Sequence, residues 1–287
     1  MSYMPNSTAL TRIDCHQHFW DLSRGDYHWL TPKLEPIYRN FLPHDLEKVL
    51  SDQHVEKTIL VQAADTEAET LFLLSLAEST EFVGGVVGWV DLEGDDVISR
   101  LKEMKKNEYF KGIRPMLQDI KDKEWILNEK FHGTFDFMAA NNISFDALVK
   151  EQHLASINTL ARQHPRLKIV INHAAKPNLT KTLSENWQAQ LSQLAECDNV
   201  YVKLSGLMTE TTPFNTQAAD YQACFDVLLS LFGVQRIMWG SDWPVVQYQG
   251  DYQAWCMICT HLLAPLNDDD KQKIWAENAR HFYCLSR

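Results

Sequence analysis

No apolar run in the 287-residue chain reaches transmembrane length. Residues 1–14, MSYMPNSTALTRID, lack the cationic start and apolar core of a secretory signal, which predicts a cytoplasmic protein without membrane association. Basic residues are in short supply: 27 lysines and arginines stand against 38 aspartates and glutamates, for a formal net charge of −11. That balance argues against nucleic acid as a partner, because binding a phosphate backbone needs a basic stripe. It leaves an anionic small molecule open, since one or two local arginines can hold one. The phosphate-cradling patterns GxGxxG and GxxxxGK[ST] are missing, so a nucleotide fold has no motif support. So are the GxSxG elbow of serine hydrolases and the HExxH of zinc proteases. Cysteines are few and scattered, at 15, 197, 224, 256, 259 and 284, and read as reduced core thiols. Cys256 and Cys259 form a lone CxxC within the helical pattern AWCMICTHLL, with no second pair to complete a zinc site.

What the chain has is alternation. Short apolar, β-branched runs recur at 11–18, 57–63, 82–92, 110–117, 143–149, 167–173, 199–206 and 236–244, as expected of strands buried on both faces. Stretches with helical spacing separate most of them, such as EAETLFLLSLAEST before the third and YQACFDVLLSLFG before the eighth. Strand–helix alternation implies parallel pairing through right-handed crossovers. Eight such units predict a single-domain (β/α)8 TIM barrel over residues 1–287, with a doubly wound open sheet as the alternative. The first connection, residues 19–43, is long and rich in aromatics and proline, and loops of that length often bind or cover a site. Two helices are predicted after the last strand, at about 251–264 and 267–283.

Polar residues cluster at one end of these strands. His16 and His18 flank Gln17 at the end of the first strand, and period-two alternation points both imidazoles the same way. His173 closes the sixth strand and Asp242 the eighth, where a carboxylate is costly to bury without a partner. Each alone has a bland explanation: a structural histidine pair, a helix cap, a strand-end turn. Their convergence on the end where barrels of this kind do chemistry favours catalysis. Neighbouring imidazoles suit a zinc-class cation or donors aimed at a carbonyl oxygen. Arg114 at the end of the fourth strand is a candidate clamp for hydroxyls or a carboxylate. Gln62, Trp89 and Lys203, at the ends of strands two, three and seven, are further substrate-contact candidates, and Ser205 shares a face with Lys203. In the first loop Trp20, Tyr27 and Trp29 are positioned to wall a sugar-sized pocket, or simply to pack.

Several segments together resemble the amidohydrolase-related metal-dependent hydrolases, in particular their sugar-lactonase branch: IDCHQHFW (13–20), YHWLTP (27–32), VVGWVDL (86–92), KGIRPMLQ (111–118), INHAAKP (171–177), VKLSGL (202–207) and GSDWPV (240–245). The resemblance spans nearly the whole chain. It implies a barrel with catalytic His16, His18, His173 and Asp242, acting on cyclic esters of sugar acids such as fuconolactone or rhamnonolactone. It implies water attack on the carbonyl, with Asp242 as general base and the histidines stabilising the oxyanion, directly or through one divalent ion held by His16, His18 and Asp242. Metal-binding members of the wider superfamily also use a histidine or lysine on strand five. ISFDALV has neither, with Asp146 inside the strand and Lys150 just beyond it, which opposes a binuclear site. Some lactonases of the branch work without metal, so the resemblance admits both a metal-free site and one zinc-class ion. The alternative activity is a metal-dependent decarboxylase on a related barrel. The substrate is expected to be a small sugar lactone, and a homo-oligomer is left open.

Overall fold

The computed structural model describes residues 10–286; residues 1–9, most of the stretch read for a signal, and Arg287 lie outside the described residues. The strands are β1 (Arg12–Gln17), β2 (Val55–Val61), β3 (Val83–Gly88), β4 (Phe110–Ile113), β5 (Ser144–Ala147), β6 (Ile169–Ile171), β7 (Val200–Leu204) and β8 (Ile237–Trp239). They pair in sequence order, every neighbour parallel. The sheet closes just past the ends of β1 and β8. Gln17 bridges Trp243, the His18 N–H donates to the Trp243 carbonyl at 2.7 Å, and the Asp242 N–H donates to the His16 carbonyl at 2.8 Å. The predicted (β/α)8 barrel is the observed fold, and the open sheet is not.

The barrel helices are α1 (Pro43–Asp52), α2 (Glu67–Glu78), α3 (Val97–Met104), α4 (His132–Ala140), α5 (Leu154–Gln163), α6 (Glu185–Ala195), α7 (Ala219–Phe232) and α8 (Tyr252–Leu263). Their starts follow local chemistry. Thr66, Ser184 and Asp251 each accept an orphan N–H of the first turn of α2, α6 and α8, and Pro43 opens α1. Among the described residues no helix is long and apolar enough to cross a membrane.

Three expectations need correction or refinement. Several strands are shorter than the apolar runs suggest, so His18, Gln62, Trp89, Arg114, His173 and Asp242 all stand one to three residues past the strand ends. At His173 and Asp242, beyond the last residues of β6 and β8, the backbone is left-handed (φ 53° and 59°). The predicted second tail helix, 267–283, is present as an uninterrupted helical run and needs only refinement, by a π turn (Lys273–Glu277) between α9 (Asp268–Gln272) and α10 (Asn278–Phe282). These pieces seal the barrel: Ala276, Ala279, Phe282 and Tyr283 pack on the inward residues Ile13, Cys15, Ile59, Val61, Val87, Val170 and Met238. Finally, Cys284 is exposed rather than a core thiol, because Tyr283 beside it takes the inward position. Cys256 and Cys259 are buried in α8, where burial pushes both thiols up, Cys256 to about 12, so they are inert toward metal or redox chemistry.

Candidate active site

The placement of His16 depends on a defect in β1. The register against β2 slips between Asp14 and Gln17, and such bulges re-aim side chains. Asp14 points out toward α8, accepting from the Ser241 N–H (2.8 Å) and the Tyr252 hydroxyl (3.0 Å). Cys15 packs inside the barrel, and His16 and His18 both face its mouth. His173 begins four successive left-handed residues, His173–Lys176 (φ 53°, 50°, 60° and 54°). That turn costs on the order of 1–2 kcal/mol per residue, strain of the kind that clusters at functional sites.

The four predicted residues meet. Asp242 Oδ1 lies 3.2 Å from His18 Nε2, 3.6 Å from His16 Nε2 and 3.9 Å from His173 Nε2. The His16 and His173 rings stand 4.4 Å apart, and His173 Nδ1 meets the Ser205 hydroxyl at 3.0 Å. Arg114 joins them, with Nη1 3.2 Å from His16 Nε2 while Nη2 donates to the Gln62 carbonyl. All six side chains are buried.

One imidazole in this cluster has its hydrogen fixed by its surroundings. His18 Nδ1 lies 2.7 Å from the Val61 carbonyl, which only accepts, so Nδ1 carries the hydrogen. Its Nε2 therefore presents a lone pair beside the Asp242 carboxylate. His16 sits between two cations. Lys203, fully buried, has three ammonium N–H groups and three possible acceptors: the Cys15 carbonyl at 2.9 Å, Asp146 Oδ2 at 2.6 Å and His16 Nδ1 at 3.2 Å. On the other side of the ring, His16 Nε2 lies 3.2 Å from the Arg114 guanidinium at the mouth.

Burial keeps all three rings neutral near pH 7. It lowers His16 well below the usual histidine value, with Lys203 adding to the effect, and it lowers His173 to about 3. It lowers His18 as well, against the pull of Asp242. Burial alone would raise Asp242, yet the carboxyl lies below its ordinary range, and with the rings neutral the Lys176 ammonium is the cation left to hold it there.

His16, His18 and Asp242 place one ligand atom each within 4.8 Å of one another. Bonds of about 2.0–2.1 Å in a tetrahedral site put ligand atoms roughly 3.3–3.4 Å apart, so the spacing suits a zinc-class ion. The surroundings of His16 count against one: Lys203 lies 3.2 Å from its Nδ1 and a guanidinium 3.2 Å from its Nε2. Two cations at the ring make the set a poor fit to a three-ligand divalent site.

The amidohydrolase family model matches residues 13–285. The chain belongs to the amidohydrolase family. It is 41% identical over 283 residues to an L-fucono-1,5-lactonase of Burkholderia ambifaria, covering 96% of each chain. It is 32% identical to an L-fucono-1,5-lactonase of Burkholderia multivorans, again over 96% of each. A crystal structure of an amidohydrolase from Burkholderia multivorans with bound zinc superposes with a TM-score of 0.91 at 32% identity, covering 96% of this chain and 100% of that one.

Within this amidohydrolase the remaining candidates separate. Gln62 is buried and its amide donates to the Arg114 carbonyl at 2.7 Å, so it braces Arg114. Lys203 lies beneath His16 in the barrel interior, engaged by three protein acceptors rather than open at the mouth. Trp29 and Trp89 line a cavity of about 560 Å³ over the ends of β2, β3 and β4, next to Gln62 and Arg114, together with Asp26, Asp91 and Trp125. Trp20 and Tyr27 do not line it; both are buried as packing for the first loop, which folds back through a Trp20–Phe41 bridge.

Sequence reading missed Lys176, whose ammonium donates to Gln118 Oε1 at 2.8 Å and acts electrostatically on Asp242. It also missed Glu69, which accepts from the Ala63 and Ala64 N–H groups and pins the end of β2. Burial drives that carboxyl up to about 8. Gly206 was missed too. Its φ is 65°, and a Cβ there would overlap the His173 imidazole. The available signal was polar residues within strand-like runs, Asp14 and Asp146 above all.

Proposed function

We propose that this amidohydrolase hydrolyses a neutral sugar-acid lactone, such as L-fucono-1,5-lactone or L-rhamnonolactone, by direct attack of water on the carbonyl. The observation that carries the reading is the convergence at the mouth of Asp242 Oδ1 and His18 Nε2, 3.2 Å apart, with His16 Nε2 and Arg114 Nη1, also 3.2 Å apart, which we read as two acceptors facing two donors.

A nucleophilic water needs both hydrogens held so that a lone pair faces the carbonyl carbon. Asp242 and His18 supply the two acceptors. Asp242 is a weak base in the resting site, so it takes the proton late, as the new C–O bond makes the water acidic. The carbonyl oxygen lies on the donor side, where His16 and Arg114 meet the growing negative charge in a desolvated setting. His173, tilted against His16 and within hydrogen-bond distance of Ser205, completes that wall. Collapse re-forms the carbonyl and breaks the bond to the ring oxygen, which takes the proton from the Asp242 carboxyl. The hydroxy acid ionises in solvent and the carboxylate is restored.

The cavity past strands two to four, whose lining includes none of the catalytic cluster, supports a sugar-sized, uncharged substrate. Trp29 and Trp89 offer faces for a ring and Asp91 accepts from hydroxyls, while Asp26 is paired with Arg24. The names of the two relatives at 41% and 32% identity point the same way. A pH-indicator assay across neutral sugar lactones and carboxylated lactones tests the proposal. Turnover is expected to be highest on the neutral sugars. Silence on every lactone overturns it, and carbon dioxide release from an aromatic acid would favour the decarboxylase alternative.

A further inference from the structure

Two cations compete for one neutral imidazole. Lys203 Nζ lies 3.2 Å from His16 Nδ1 and Arg114 Nη1 lies 3.2 Å from His16 Nε2, yet a neutral ring accepts at only one nitrogen. Neighbouring groups decide which. An Nε2 hydrogen would face the Asp242 carboxylate, whose Oδ1 lies 3.6 Å away, a favourable charge contact though too long for a hydrogen bond. An Nδ1 hydrogen would point at an ammonium. Lys203 cannot turn away, because it is fully buried and its other two hydrogens are committed to Cys15 and Asp146. Asp146 is itself fixed by the Tyr283 hydroxyl at 2.9 Å and by Asn172 at 3.2 Å. Arg114 is anchored independently of His16, because its Nη2 donates to the Gln62 carbonyl.

We propose that Lys203, anchored by Asp146, is a positioning residue that locks His16 as the Nε2–H tautomer, making it a donor to substrate and denying its lone pair to a metal ion. The chain of contacts runs from Tyr283 in the C-terminal plug through Asp146 and Lys203 to His16, so the seal of the barrel and the chemistry at its mouth are one network. This inference deepens the lactonase reading and rests on it for the consequence to catalysis, but the tautomer itself does not depend on substrate.

Removing Lys203 alone would strand a buried carboxylate, so the test replaces the pair, Lys203→Met with Asp146→Asn, leaving no unpaired charge. With Arg114 then the only donor, His16 should switch to Nδ1–H. Nitrogen-15 NMR of histidine-labelled protein, wild type against the double variant, reads the switch directly. The variant should also bind zinc measurably more tightly than wild type by calorimetry. Its kcat should fall about 10²–10³-fold, as on loss of one oxyanion donor, with KM little changed. Arg114→Met should leave the His16 tautomer as it is. An Nε2–H tautomer persisting in the double variant overturns the proposal. If the double variant unfolds, a wild-type spectrum with hydrogen on Nδ1 overturns it equally. A tautomer switch in a protein inactive on all lactones would leave this inference standing and sink the activity instead.

Discussion

Replacing Asp242 by asparagine is the perturbation that probes the mechanism most sharply. The backbone should tolerate it: Asp242 sits at φ 59°, a conformation asparagine adopts readily, and its N–H bond to the His16 carbonyl at 2.8 Å is unaffected. The side chain is nearly isosteric, so the contacts to His18 at 3.2 Å and His16 at 3.6 Å lose charge rather than shape. What disappears is the proton acceptor. A positioned general base contributes about 10²–10⁴-fold, or ~2.7–5.5 kcal/mol of barrier, and kcat on L-fucono-1,5-lactone should drop by that factor while the melting temperature changes little. The wild-type pH profile carries the same information. Asp242 must be ionised to act, and its pKa is depressed, so its active form is present above the ordinary aspartate range and is lost only as pH falls through the depressed value. The histidines are lowered too, so neutral rings prevail above the ordinary histidine range and none should impose an acid limb near neutrality. Turnover by Asp242→Asn within about threefold of wild type would refute the assignment, as would a wild-type acid limb near neutrality.

Other variants test its neighbours. Gly206→Ala puts a methyl group into the His173 ring at a φ of 65°, and should cost roughly 1–3 kcal/mol of stability and lower kcat together; calorimetry and kinetics measured on the same preparation check both. Lys176→Met removes a cation that holds Asp242 down, so the acid limb of kcat/KM should move to higher pH; an unmoved limb would show that Lys176 is too far away to matter.

The barrel was legible because its strands are buried on both faces and separated by helical spacing, a pattern that survives without tertiary information. The four central residues were legible for a related reason: each polar side chain ends an apolar run. The rest depended on geometry that alternation conceals. The slip in β1 lets Cys15 face inward while His16 and His18 face the mouth, and simple period-two counting cannot reveal it. Lys203 reads from sequence as a substrate contact near the mouth, and its depth could not be read, because it is set by Asp146 on a distant strand and by Tyr283 from the C-terminal plug. Trp20 and Tyr27 look like pocket residues in a long loop, yet that loop folds back on itself and consumes them as core.

The central claim is a mouth divided between water-holding acceptors and carbonyl-holding donors, with His16 on the donor side. Turnover of L-fucono-1,5-lactone against the enzyme's measured metal content tests it most directly, using protein stripped with chelator and then reloaded with zinc in steps. Full activity in stripped enzyme, unchanged or reduced as zinc is added, is the predicted result. Activity that vanishes on stripping and returns in proportion to one bound zinc per chain would contradict it.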